Sequence, residues 1–149
     1  MKIRSAWIAA AVALAALLSG CATVPMADSQ QDKAEKSFAA VPGKSKIYVY
    51  RNEVFGAAIT MDVSIDGRLL GATGSKTYLV AVVDPGPHAI RSKGENEEIL
   101  NLTTAAGRVY YVWQEIRMGL FMARSSLQTV DEKTGQAGVL ESLLIAPPK

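Results

Sequence analysis

Few side chains of this chain are suited to catalysis or metal binding, because the chain has one cysteine, Cys21, and one histidine, His88. A disulfide within the chain needs a second cysteine, and a cysteine-based metal site needs several, so Cys21 can form neither. A Ser-His-Asp triad, a two-histidine metal site or a histidine relay would all depend on His88. The chain also lacks the Gly-x-Ser-x-Gly sequence of a nucleophilic serine. We therefore predict no catalytic residue, no metal site and no cofactor.

His88 has a structural explanation in its position. It follows Asp84-Pro85-Gly86, which fits a turn with proline at the second position and glycine at the third. The imidazole can there hydrogen-bond backbone groups of the turn or cover the edge of a sheet. The alternative is a hydrolase in which His88 acts with an acidic residue.

Apolar side chains near the carboxyl end suggest recognition instead of catalysis. Residues 110–113 read Tyr-Tyr-Val-Trp, and a strand sends alternate side chains to opposite faces, so either face of this strand can be the core. Met118, Leu120, Phe121 and Met122 follow, between two arginines. We expect the 113–124 stretch to bind a partner. For the outward aromatic residues of the strand, together with Tyr48 and Tyr50, we expect burial under the helix, and an exposed partner surface is the alternative. The predicted contact residues are Trp113, Met118, Phe121 and Met122.

The amino end has the anatomy of a signal peptide. Lys2 and Arg4 precede an apolar stretch, residues 7–18, whose 12 residues are fewer than the ~20 that a membrane-spanning helix needs. Leu18-Ser19-Gly20-Cys21 resembles the lipobox of bacterial lipoproteins. The resemblance implies that residues 1–20 are removed and that Cys21 carries diacylglycerol and a further fatty acid such as palmitate. An ordinary secreted protein with a chance cysteine is the alternative.

This resemblance also implies a location in the cell envelope. Acyl chains contribute about 0.8 kcal/mol per buried methylene, and two or more hold a protein stably on a bilayer. Ala22 follows the cysteine, where an aspartate would resemble an inner-membrane retention signal. We therefore expect an outer-membrane lipoprotein that faces the periplasm, with surface display as the alternative.

Charge excludes one class of partner. The chain has 16 basic and 14 acidic residues, and the leader contains two of the basic ones, Lys2 and Arg4, so the mature chain has 14 of each. A chain of zero net charge without a basic cluster is not expected to bind nucleic acid. The predicted partners are the bilayer, through acylated Cys21, and another envelope protein.

Hydrophobic patterning predicts the fold. Residues 59–66 alternate apolar and polar side chains, which indicates a strand with one buried face, and Asp66-Gly67 then favours a tight hairpin. Leucines and a valine within residues 134–145 have helical spacing. The sequence thus predicts a mainly β fold, a small antiparallel β-sandwich of about seven strands with a short C-terminal helix. Further strands are predicted over residues 46–51, 77–83, 88–92, 97–103 and 108–117.

Composition divides the chain into three parts: a signal peptide over residues 1–20, a lipidated flexible tether over 21–44, and a domain over 45–146. The tether lacks apolar periodicity, and about 20 flexible residues have a root-mean-square span of roughly 25 Å. A short helix over residues 30–40 is the alternative for its second half.

Four segments of the central region follow one another in a fixed order: residues 63–71 (VSIDGRLLG), 78–82 (YLVAV), 85–88 (PGPH) and 107–112 (GRVYYV). In this order they resemble the PEGA-type β-sandwich of envelope lipoprotein domains of unknown function. This resemblance implies a binding or structural module without catalysis. We therefore predict a non-enzymatic binding or scaffolding protein, with a hydrolase using His88 and a purely structural envelope protein as alternatives.

Overall fold

The computed structural model describes residues 24–148, which form a two-sheet β-sandwich covered on one side by two short helices. The mainly β fold and the helix near the carboxyl end are confirmed, with nine strands in place of about seven. The strands are β1 (Ser45–Arg51), β2 (Met61–Ile65), β3 (Arg68–Thr73), β4 (Thr77–Val83), β5 (Gly86–Lys93), β6 (Glu97–Thr104), β7 (Val109–Met118), β8 (Ala123–Val130) and β9 (Leu143–Leu144), and the helices are α1 (Ser29–Glu35) and α2 (Glu132–Leu140).

The two sheets differ in strand direction. The four-stranded sheet, in the order β3-β2-β5-β6, is antiparallel throughout, as predicted. The five-stranded sheet, in the order β8-β7-β1-β4-β9, contains two parallel pairs, β1 with β7 and β4 with β9. These pairs join strands that are distant in sequence, so no turn sequence between them indicates their direction.

A first core fills the space between the sheets. Val63 and Ile65 of β2 point into it, which confirms the strand predicted from alternation. The hairpin after β2 is also confirmed, because Asp66 and Gly67 have φ values of 51° and 79°. The buried Gln114 lies in this layer, where its amide donates to the Ser92 hydroxyl at 2.6 Å and thereby satisfies a buried polar group.

A second core lies between the other face of the five-stranded sheet and the helices. It contains Tyr48 and Tyr111, whose rings stack with centroids 5.4 Å apart. Gly135 and Gly138 let α2 approach closely, since an added Cβ would lie 2.2 Å from Tyr111 and 2.1 Å from the Tyr50 ring. Both faces of β7 are therefore covered, and the aromatic residues of this region pack under the helices more than they face solvent.

The segment predicted as a tether differs from that expectation from Pro25 onward. The Ala146 N–H donates to the Pro25 carbonyl at 2.8 Å, and Met26 pairs with Ile145, so this segment extends the sheet. Helix α1 follows; Asp28 caps it by accepting from the backbone of Gln30 and Gln31.

Contacts with the sheet hold α1 in place. Asp32 accepts from the Tyr78 hydroxyl and from the Leu144 N–H, both at 2.9 Å, and Glu35 pairs with Lys46 at 2.9 Å. Helix α1 has no buried residue of its own, which explains why an apolar pattern does not reveal it. The remainder of the tether next to Cys21, and Cys21 itself, lie outside the described residues.

Candidate functional site

Four large apolar side chains project into solvent where β7 turns into β8. Met118 pairs with Ala123 at the end of the hairpin, and residues 119–122 close it. We call residues 118–122 the hairpin tip. A group of exposed apolar side chains on one loop is typical of an interaction site. The exposed fractions are 77% for Met118, 81% for Leu120, 88% for Phe121 and 64% for Met122.

The backbone of the hairpin tip is held by one carboxylate from a different hairpin. Glu95, in the turn between β5 and β6, accepts from the N–H groups of Met122 at 2.7 Å, Phe121 at 3.0 Å and Leu120 at 3.3 Å. These N–H donors lower the pKa of the Glu95 carboxyl, because they stabilise its charged form. The tip therefore presents its apolar side chains on a fixed backbone.

Asn96 fastens the same two hairpins together. Its side-chain amide donates to the Ser125 carbonyl and accepts from the Ser125 N–H, both at 2.9 Å. The Glu95 N–H adds a hydrogen bond to the Ala123 carbonyl at 3.0 Å. The acidic run of residues 95, 97 and 98 is typical of a solvated loop, and nothing in that run indicates that Glu95 and Asn96 contact another hairpin.

Trp113, predicted as a contact residue of the same stretch, lies apart from the hairpin tip. It is partly buried against the core under the helices, and its indole nitrogen is buried without a hydrogen-bond partner among the described residues. Met118 lies five positions further along the strand, a distance of roughly 16 Å at ~3.3 Å per residue. The structure thus groups Met118, Phe121 and Met122 and leaves Trp113 outside the group.

A second exposed apolar pair lies at the same end of the sandwich. Val54 and Phe55, in the loop after β1, are 67% and 51% exposed. The buried Arg51 shapes this loop by donating to the carbonyls of Gly56 at 2.6 Å and Ile59 at 2.8 Å. Because β1 and β7 are parallel, the loop and the hairpin tip emerge in the same direction.

His88 lies at the opposite end, in a small polar cluster. Its Nδ1 is 2.7 Å from the Asp66 carboxylate and its Nε2 is 2.7 Å from the Asp84 carbonyl. The predicted bond between the ring and the turn backbone is therefore present. Burial lowers the pKa of His88, but the bonds to Asp66 and Asp84 outweigh this effect and raise it above its ordinary value.

The described residues show neither a metal cluster nor a membrane-spanning helix. Within residues 24–148, no group of three or more His, Cys, Asp or Glu side chains is arranged to hold a metal ion. Among the helices in this part of the chain, none has the length and apolar composition that crossing a membrane requires.

Fold and surface together define a helix-covered β-sandwich with an exposed apolar hairpin. A family model described as protein of unknown function (DUF2846) matches residues 42–126, a range that includes the hairpin tip, Glu95 and His88. A curated relative from Haemophilus influenzae, an uncharacterized protein, is 31% identical over 133 residues, which cover 88% of this chain and 79% of the relative. The chain belongs to the DUF2846 family. No solved structure matches it.

Proposed function

We propose that this protein is a non-catalytic binding or scaffolding module of the bacterial cell envelope, anchored by lipid at Cys21. The observation that carries the proposal is the hairpin tip, where apolar side chains up to 88% exposed stand on a backbone fixed by Glu95. A fixed backbone lowers the entropy that binding must remove, and exposed Phe and Met side chains are suited to an apolar pocket of a partner protein.

The leader supports the anchoring part of the proposal. Residues 1–20 have signal-peptide anatomy and end at Cys21 in a lipobox-like sequence. Acylation there would leave the protein on a membrane. Position 22 is alanine, whereas an inner-membrane retention signal has aspartate there. We therefore propose that the protein lies at the outer membrane and faces the periplasm.

The surroundings of His88 support a non-catalytic role over a hydrolase. Both ring nitrogens already face acceptors, the Asp66 carboxylate and the Asp84 carbonyl, each at 2.7 Å. A general base needs one nitrogen free to take a proton from the reacting group. Here the ring instead joins the turn before β5 to the β2–β3 hairpin.

We also propose a relationship to the PEGA-type sandwich. It is supported by the order of the Asp66-Gly67 hairpin, the Asp84-Pro85 connection that leads into β5, and the strand that begins after Gly107. This relationship concerns the fold and a binding role, and it assigns no catalytic residue.

Site-specific photo-crosslinking in living cells tests the proposed binding surface. A photoreactive amino acid at position 121 should give a discrete adduct with an envelope protein, and the same group at Leu140, which is 57% exposed, is the matched control. Phe121→Ala with Met122→Ala should abolish an adduct formed from position 118 while the circular-dichroism melting curve is retained. The proposal fails if positions 121 and 140 give the same adducts, or if the double variant keeps the adduct from position 118.

A further inference from the structure

The direction of the chain near Pro25 shows where an anchor would leave the domain. Strand β9 runs parallel to β4, which ends at Val83. Met26 pairs antiparallel with Ile145, so the chain followed backward from Met26 to Val24 runs toward the Val83 end of the sandwich. Val24 itself packs against the core between the sheets.

Little chain separates Cys21 from this folded segment. Only residues 22–24 lie between Cys21 and Pro25, and four Cα steps span at most about 14 Å. A flexible tether reaching to residue 44 would have spanned roughly 25 Å on average. The folded position of residues 25–44 therefore brings the domain close to any membrane that holds Cys21.

The hairpin tip lies diagonally opposite this exit point. Strand β7 covers about 30 Å between Val109 and Met118, and three strand spacings of ~4.8 Å separate β7 from β9. The exit point lies toward the Val83 end at the β9 edge, whereas the tip lies at the other end beside β8. The two features are thus separated along the strands and across the sheet.

The surface beside the exit point combines apolar and basic side chains. Leu69 is 54% exposed and Val82 is 51% exposed, and both line an open groove with Pro147. Arg68 is exposed in the same groove lining, and the two carboxylates of that lining, Asp66 and Asp84, face His88 and Lys44. Apolar side chains flanked by arginine suit the interface of a bilayer with anionic headgroups. We call Arg68, Leu69, Val82 and Pro147 the anchor corner.

We infer that the anchor corner rests on the bilayer that carries the lipid, so that the hairpin tip points away from that membrane toward its partner. The inference rests on the proposed acylation of Cys21. It adds an orientation: the membrane-facing surface and the partner-facing surface are opposite corners of one domain.

Fluorescence quenching on vesicles tests this orientation with the full-length, membrane-extracted protein. Leu69→Cys and Phe121→Cys variants are labelled at the new thiol and reconstituted in phosphatidylethanolamine–phosphatidylglycerol vesicles that contain a headgroup nitroxide quencher. We expect quenching at position 69 to be several-fold stronger than at position 121. Adding Arg68→Glu and Val82→Ser should reduce quenching at position 69 by at least half.

The mass of the amino-terminal peptide, measured on the same samples, separates two kinds of failure. If Cys21 is acylated and the two labels are quenched equally, or position 121 more strongly, the orientation is wrong and the proposed function stands. If the peptide carries no acyl group, the anchoring part of the proposed function is wrong and the orientation falls with it.

Discussion

Glu95 Oε2 lies 2.7 Å from the backbone nitrogen of Met122, so one carboxylate of the β5–β6 turn fixes the backbone of the β7–β8 hairpin. The two hairpins belong to different sheets. The exposed hairpin tip is consequently ordered by contacts between the sheets, although none of its own side chains is buried. Binding at this tip would depend on Glu95 without requiring that Glu95 touch the partner.

Replacing Glu95 with glutamine should loosen the hairpin tip while leaving the sandwich folded. The amide keeps one acceptor oxygen but loses the charge, and hydrogen bonds to a charged acceptor are roughly twice as strong as neutral ones. We expect faster amide hydrogen exchange at Phe121 and Met122 and an unchanged circular-dichroism spectrum.

Glu98→Gln is the matched control, because it removes a carboxylate from the same acidic run. It should leave exchange at the tip unchanged. Equal exchange rates at residues 121 and 122 in the wild type and in Glu95→Gln would show that the carboxylate does not order the tip.

The His88–Asp66 pair should make stability depend on pH. The pKa of His88 is raised above its ordinary 6.5. The stabilisation of the folded state by protonated His88 is therefore complete below pH 6.5 and is lost as the pH rises through the raised pKa. The pKa of Asp66 is lowered below 3.8, chiefly by the hydrogen bond from His88. The stabilisation of the folded state by the Asp66 carboxylate is therefore present above pH 3.8 and is lost as the pH falls through the lowered pKa.

Thermal unfolding of the wild type and of His88→Gln measures this effect between pH 5 and pH 9. The Tm difference between the two proteins should be largest near pH 5 and should shrink as the pH increases and His88 loses its proton. Parallel curves over the whole range would mean that the charge of His88 contributes nothing to the fold.

The sequence predicts those parts of the fold that depend on local pattern. Alternation over residues 59–66 identifies β2, and Asp66-Gly67 identifies the hairpin, because side-chain period and positive φ are properties of a few adjacent residues. The contact between His88 and the turn backbone is local for the same reason, since the carbonyl that His88 contacts belongs to Asp84, four residues earlier.

Features that depend on contacts between distant residues cannot be predicted from local sequence patterns. Helix α1 is polar and is held through Asp32 by Tyr78 and Leu144, which follow Asp32 by 46 and 112 residues. The bond from Glu95 to Met122 spans 27 residues and joins two hairpins. Met118, Phe121 and Met122 are found as an apolar run, but the pattern alone cannot show that Trp113 packs elsewhere.

Gly138→Ala should destabilise the protein although alanine favours helices. Alanine improves helix propensity by about 1 kcal/mol, yet its Cβ would lie 2.1 Å from the Tyr50 ring, and forced overpacking typically costs about 1–3 kcal/mol. We expect a net loss of free energy of unfolding in urea titrations. Lys133→Ala, on an exposed position of α2, should be neutral. A stabilised Gly138→Ala variant would mean that α2 can move away from the sheet without loss.

Asp32→Ala tests whether the segment after Pro25 belongs to the folded domain. The substitution removes the acceptor for the Tyr78 hydroxyl and for the Leu144 N–H, and it also removes the 2.8 Å ion pair with Lys36. Leaving buried donors without partners costs about 1–3 kcal/mol, so α1 should detach and trypsin should cleave after Lys33 and Lys36 much faster than in the wild type. Asp62→Ala, which removes an exposed carboxylate from β2, serves as the control and should leave the cleavage rate unchanged. Rapid cleavage of the wild type at these two lysines would mean that residues 25–44 behave as a free tether. The distance between Cys21 and the domain would then be set by that tether and no longer by residues 22–24 alone.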